Sequence, residues 1–131
     1  MAVDLATRQL VRERAGNRCE YCRLHQDDQP FLTFHVEHII SKQHGGSDHE
    51  ANLCIACHWC NLHKGPNLAT IVDRQLVALF HPRTQEWSSH FEIRQDRVIG
   101  LDPIGVGTVE LLNMNDEDRC ELRRESLRPS S

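Results

Sequence analysis

The chain has 131 residues, a formal charge of −4, 39% apolar residues and only 5% aromatic ones. That length implies one domain with a thin core, which a staple would reinforce. The acidic balance excludes a basic arm: residues 1–64 carry seven Lys/Arg against eight Asp/Glu, and residues 65–131 carry eight against eleven. Any nucleic-acid contact must therefore come from local basic residues and a bound metal, and should be weak or salt-sensitive.

No run of about 18 apolar residues is present, so no membrane span is expected. Met1-Ala2-Val3-Asp4 lacks the basic and then apolar pattern of a secretion signal, which implies a cytoplasmic protein with reduced thiols. In that compartment six cysteines favour metal over disulfides. Four of them form two Cys-x-x-Cys pairs, Cys19/Cys22 and Cys57/Cys60, with 34 residues between the pairs. The gap is longer than a compact zinc ribbon needs and implies an element inserted between two halves of a structural zinc site. Cys54 and Cys120 read as small buried apolar residues.

Taken in chain order, residues 4–15 read as a helix capped by Asp4 and stopped by Gly16, with Leu5, Leu10 and Val11 near one face. Arg8, Arg12 and Arg14 give it a basic side, open either to solvent or to phosphate. Gly16-Asn17-Arg18 turns the chain into the first cysteine pair, and residues 25–30 form a polar connector. Phe31 to Ile40 alternates as a strand. Its period of two puts His35 and Glu37 on one face and His38 on the other, so a bend or strand end near Glu37 is needed for Glu37 and His38 to share a site.

Residues 41–50 are a polar loop turned by Gly45-Gly46, and Asn52 to Ala56 a second strand. A helix follows from Cys57, with Cys60 and Asn61 in its first turn. The spacing of Leu68, Ile71, Val72, Leu76, Val77 and Phe80 predicts a continued helix over 68–80, stopped at His81-Pro82-Arg83. Two short strands, Phe91–Ile93 and Arg97–Leu101, meet at Gln95-Asp96. A helix is expected over Gly105–Met114 and another capped by Asn115, with acids first and Arg123, Arg124 and Arg128 toward its end. Pro129-Ser130-Ser131 is a frayed tail. The fold expected is α+β: a ββα unit clamped at both ends by a four-cysteine zinc site, with an N-terminal helix and a small C-terminal strand/helix extension. One domain spans 1–131, with its core at 16–80 and the extension at 81–131.

Glu37-His38-Ile39-Ile40, Gly45-Gly46, Asn52-Leu53 and Cys57-x-x-Cys60-Asn61-x-x-Lys64, preceded by Cys19-x-x-Cys22, resemble the HNH or ββα-metal (His-Me finger) endonucleases, and in particular small bacterial HNH proteins with a four-cysteine zinc site. The resemblance covers roughly residues 16–65. It implies a metal-dependent nuclease acting on DNA, or on RNA. It makes His38 the general base, Glu37 and Asn61 ligands of a catalytic divalent ion (Mg²⁺, Mn²⁺ or Ni²⁺), and Asn52 the residue that holds the loop and orients the base. The family usually has Asp or His where Glu37 stands; Glu is one methylene longer, so the ion would shift or the backbone relax.

The chemistry agrees with that assignment. Phosphodiester hydrolysis needs a base active near neutral pH and a hard Lewis acid with open positions. His35 is a candidate ligand or phosphate contact, His63 a metal or phosphate contact or a solvent-facing residue, and Lys64, one helical turn past Asn61, a phosphate contact. His58 reads as a surface or supporting residue. Arg83, Trp87, His90 and Phe91 resemble a cluster of small HNH proteins and tie the tail to the same domain, with Trp87 packing in the core. The rival reading is a non-catalytic zinc module binding nucleic acid or protein on an HNH scaffold. Oligomeric state is open.

Overall fold

A computed structural model describes residues 3–126. Helix α1, Leu5–Arg14, starts where Asp4 accepts the Thr7 N–H at 2.8 Å and ends at Ala15, before Gly16 and Asn17, both at positive φ. Only Val11 of its apolar residues is buried; Leu5 and Leu10 face solvent. Its arginines are neither free nor set toward phosphate. Arg8 donates to Val3 O, Arg12 to Phe34 O, and Arg14 to the carbonyls of Glu50 and Leu53. The guanidinium forks thus fasten α1 across the strands that follow.

Strand β1, His35–His38, pairs antiparallel with β2, Leu53–Ala56, setting Glu37 opposite Cys54 and His38 opposite Leu53. The expected strand over 31–40 contracts to these four residues, with one further backbone bond, from the Ile39 N–H to Asn52 O at 2.8 Å, before the chain leaves the ladder. Between the strands the loop is cinched by Asn52. Its amide donates to the carbonyls of Ile40 and Ser47, both at 2.9 Å, and its oxygen accepts the Ile40 N–H at 2.9 Å. Gly46 lies so close beneath that a Cβ would sit 1.7 Å from Ile40 O. Only glycine fits there. Helix α2, His58–Lys64, is capped by Cys57, whose Sγ accepts the Cys60 N–H at 3.4 Å, and stops at Gly65-Pro66.

The helix expected over 68–80 is instead a hairpin of β3, Ala69–Val72, and β4, Gln75–Ala78. Spacing at 68, 71, 72, 76, 77 and 80 satisfies a helical face on paper. However, Thr70-Ile71-Val72 is a β-branched run, and Asp73 and Arg74 both take positive φ, +48° and +65°. That is the two-residue turn whose twist matches a hairpin. The hairpin lies against helix α4, Pro103–Leu111, through Gly107, where a Cβ would come within 2.8 Å of Thr70 Cγ2 and 2.9 Å of Val72 Cγ2.

A one-turn helix α3, Trp87–His90, precedes β5, Phe91–Arg94, and β6, Arg97–Gly100, an antiparallel pair. Helix α4 begins earlier than expected, because Asp102 caps it and Pro103 fits the first turn. Asn115 does not cap the last helix, α5, Glu117–Glu125; Asp116 does. Asn115 instead exchanges two 2.8 Å hydrogen bonds with the Val98 backbone. Arg128 and residues 129–131 lie outside the described residues. One apolar core joins the halves: the four knuckle cysteines, Tyr21, Phe34 and Ile55 pack in the same cluster as Trp87, Phe91, Val98, Leu112 and Met114.

Candidate functional site

Cys19, Cys22, Cys57 and Cys60 are fully buried, and their sulfurs all lie within 4.8 Å of one another. Four thiolates about 2.3 Å from a tetrahedral zinc would stand roughly 3.8 Å apart; Cys22 Sγ and Cys57 Sγ are 3.7 Å apart. Backbone N–H groups of Cys22 and Cys60 each approach a sulfur at 3.4 Å. Hydrogen bonds from Cys19, Cys57 and Cys60 pull the Cys22 thiol well below its usual range, while burial pushes Cys60 well up. Four sulfurs so close cannot all ionise without a cation among them. The cluster is therefore a candidate metal-binding centre, and its four-thiolate set suits zinc.

Sequence reasoning missed one partner of this centre. Arg119 is fully buried and places Nη1 3.1 Å from Cys60 Sγ. Its Nη2 donates to Leu112 O at 2.7 Å and to Asn113 O, and its Nε to Asp116 Oδ2 at 2.7 Å. Burial opposes its charge, but the Cys60, Cys22 and Cys57 sulfurs outweigh that and hold it protonated. A tetrathiolate zinc site carries net negative charge, and Arg119 offsets part of it. No local signal marks the residue, which is 59 positions from Cys60.

On the other side of the β1–β2 hairpin lies an open cavity of about 380 Å³, with His35, Glu37, His38, Ser41, Lys42 and Asn61 in its wall. Glu37 and His38 both line this cavity, as do their β1 neighbours His35 and Val36. Glu37 is 7% exposed; its Oε2 is 3.7 Å from Cys54 Sγ, while Oε1 is buried without a partner. Burial pushes the carboxyl up from 4.5 to about 7, against the pull of Lys64, Tyr21 and Cys54. An orphaned carboxylate oxygen beside an amide side chain suits a hard cation. Among the described residues only the four cysteines form a group of three or more His, Cys, Asp or Glu donors, so a cation here would rest on one carboxylate and the Asn61 amide oxygen.

A second missed residue is Asp48. Its Oδ1 is 2.7 Å from His38 Nε2 and 3.0 Å from Lys42 Nζ. These bonds, that from His38 foremost, hold the Asp48 carboxyl below its usual range. An ionised carboxylate has no proton to give, so Nε2–H is the donor, and in the neutral ring Nδ1 carries the lone pair.

Of the remaining expected contacts, His35 is exposed at the cavity and its ring lies 6.0 Å from that of His58. His63 is exposed on α2 and absent from the cavity wall. Lys64 corrects the expectation outright. It is 1% exposed, and its Nζ donates to Ile39 O at 2.8 Å. That position of α2 faces the core, so the ammonium straps the helix to the end of β1 and is withheld from any phosphate. Trp87 packs as expected, stacked on Phe91 with Nε1 donating to Tyr21 O at 2.8 Å.

Fold and site together define a helix-and-strand protein with a buried four-sulfur metal centre next to a polar cavity holding a histidine, a carboxylate and an amide. Residues 19–67 match the model of the HNH endonuclease family, a span that runs from the first knuckle to just past α2. No curated protein and no solved structure matches the chain. Among the described residues no helix is long and apolar enough to cross a membrane.

Proposed function

We propose that the chain is a metal-dependent HNH endonuclease that hydrolyses phosphodiester bonds in DNA, with residues 1–131 acting as one domain around a ββα-metal core. One observation carries the reading: Glu37, His38 and Asn61 share the wall of one cavity, and one Glu37 oxygen is buried without a partner. Zinc in the four-cysteine centre is structural in this reading. Glu37 and Asn61 would hold Mg²⁺, Mn²⁺ or Ni²⁺. When bound, that ion supplies positive charge to the scissile phosphate and the leaving oxygen. His38 takes a proton from the attacking water at Nδ1, while Asp48 fixes the ring through Nε2–H. Asn52 keeps the 40–47 loop closed, and with it the spacing of His38 and Asp48. His35 is placed to meet the strand at the cavity rim; His63 is further out on α2.

The test is cleavage of supercoiled plasmid by purified protein with each of the three ions, beside His38→Ala. Wild type cuts and the variant loses activity by about 10² or more. Intact plasmid in both, with every ion, refutes the reading. The net charge of −4 favours a second reading, a non-catalytic zinc module. That reading requires one bound ion per chain and no cleavage of DNA or RNA.

A further inference from the structure

The loss of Lys64 as a phosphate contact leaves open how an acidic protein seats a polyanion at this cavity. Ser41, in the wall of the same cavity, offers an answer. It occupies the N-cap position of a one-turn 3₁₀ segment, Lys42–His44, with extended backbone. Serine is among the preferred residues there because its hydroxyl ordinarily accepts a backbone N–H. Asp4, His25, His49, Cys57, Asp102 and Asp116 all make such a bond at their own N-caps. Ser41 makes none, and its Oγ is buried with no partner at all. Glu86 also makes no cap bond, but it is exposed and loses nothing by it.

Ser41 lines the same cavity as Glu37 and Asn61, and the next residue, Lys42, brings a half-exposed ammonium, paired with Asp48 Oδ1 at 3.0 Å, to the same wall. Rotation about one bond re-aims a serine hydroxyl. We propose that Ser41 and Lys42 form the phosphate seat of this site, the Ser41 hydroxyl donating to a non-bridging oxygen of a DNA phosphodiester and Lys42 supplying the charge. The proposal rests on the hydrolytic reading above and adds the residues that position its substrate.

The experiment compares wild type, Ser41→Ala, Ser41→Thr, Lys42→Gln and the surface control Arg94→Gln. Steady-state cleavage of plasmid is measured with Mn²⁺, and anisotropy of a labelled DNA duplex is measured without added divalent ion across a salt series. Ser41→Ala raises KM about tenfold with kcat within about twofold, and Ser41→Thr, which keeps the hydroxyl, stays near wild type. Lys42→Gln flattens the salt dependence of binding by about one counterion, while Arg94→Gln leaves it unchanged. A Ser41→Ala variant with wild-type KM and wild-type duplex affinity overturns the seat, as does one that loses kcat alone. A wild type that binds the duplex but never cuts sinks the hydrolytic reading, and the anisotropy series still decides the seat.

Discussion

Replacing Glu37 by Gln should stabilise the protein while disabling the proposed second metal site, and the size of the gain follows from the carboxyl's position. Glu37 is 7% exposed, with one oxygen unpaired, and its proton affinity lies near pH 7 rather than 4.5. The sign follows from which state binds more protons. Below pH 4.5 the group is protonated in both states and folding loses nothing. Between 4.5 and about 7 the unfolded chain releases a proton that the folded one retains, so stability falls as pH rises and levels off above about 7. At 1.36 kcal/mol per pH step the full loss is about 3 kcal/mol by pH 8, and under about 1 kcal/mol at pH 5. Glutamine keeps the shape and the acceptor without the charge. Urea unfolding of zinc-loaded protein, free of other divalent ions, should show the variant about 3 kcal/mol more stable than wild type at pH 8 and nearly equal at pH 5. Addition of Mn²⁺ at pH 8 should raise wild type only. An equal difference at both pH values would mean that Glu37 is not strained by burial, and the reasoning fails.

Arg119→Leu removes the cation from the thiolate centre and strands Asp116 and two carbonyls; a cost of about 3–5 kcal/mol and faster zinc transfer to a colorimetric chelator are expected. Arg119→Lys should fall between, and wild-type zinc retention in the Leu variant contradicts the assigned role. Asp48→Asn should lower kcat about 10- to 100-fold with KM nearly constant, because the Nε2–H acceptor is weakened; unchanged kcat means the ring needs no such partner. Ion binding at Glu37 should tighten as pH rises toward and past about 7 and should release a proton, which calorimetry in buffers of different ionisation enthalpy detects; binding indifferent to pH between 6 and 8 points to other ligands.

The parts of the molecule legible in the sequence are those where residue type and short spacing carry the geometry. Two Cys-x-x-Cys pairs specify a four-sulfur centre, and the strand–loop–strand–helix order between and after them is the order observed. Residues 68–80 misled because an apolar period of three to four is also met by two short strands when one face is half open. The deciding signal was the Asp73-Arg74 turn and the β-branched run before it. Lys64 misled for a different reason. Spacing along α2 says which residues share a face, but not that this face closes on Ile39 O. Asp48 and Arg119 were illegible because each acts across the fold, ten residues from His38 in one case and 59 from Cys60 in the other.

The two centres are not independent. Tyr21 sits inside the first cysteine pair, and Cys54 Sγ lies 3.6 Å from its hydroxyl and 3.7 Å from Glu37 Oε2. Glu20, its neighbour, accepts the Ile55 N–H at 2.8 Å and pairs with Arg83, so the knuckle is docked on β2 from one side and on the C-terminal extension from the other. The strand pair that carries Glu37 is thus docked on the knuckle through β2, and in the proposed reading an ion shared by the four sulfurs would hold that knuckle in shape. Partial removal of zinc should weaken Mn²⁺ binding at Glu37 before helical circular dichroism declines, because the knuckle is a local unit and α1 is fastened separately by its arginines. Titration with a thiol-competing chelator, read in parallel by Mn²⁺ electron paramagnetic resonance and circular dichroism, separates the two events. If Mn²⁺ affinity holds until the helices melt, the knuckle stabilises the chain without positioning the carboxylate, and Glu37 owes its placement to β1 and β2 alone.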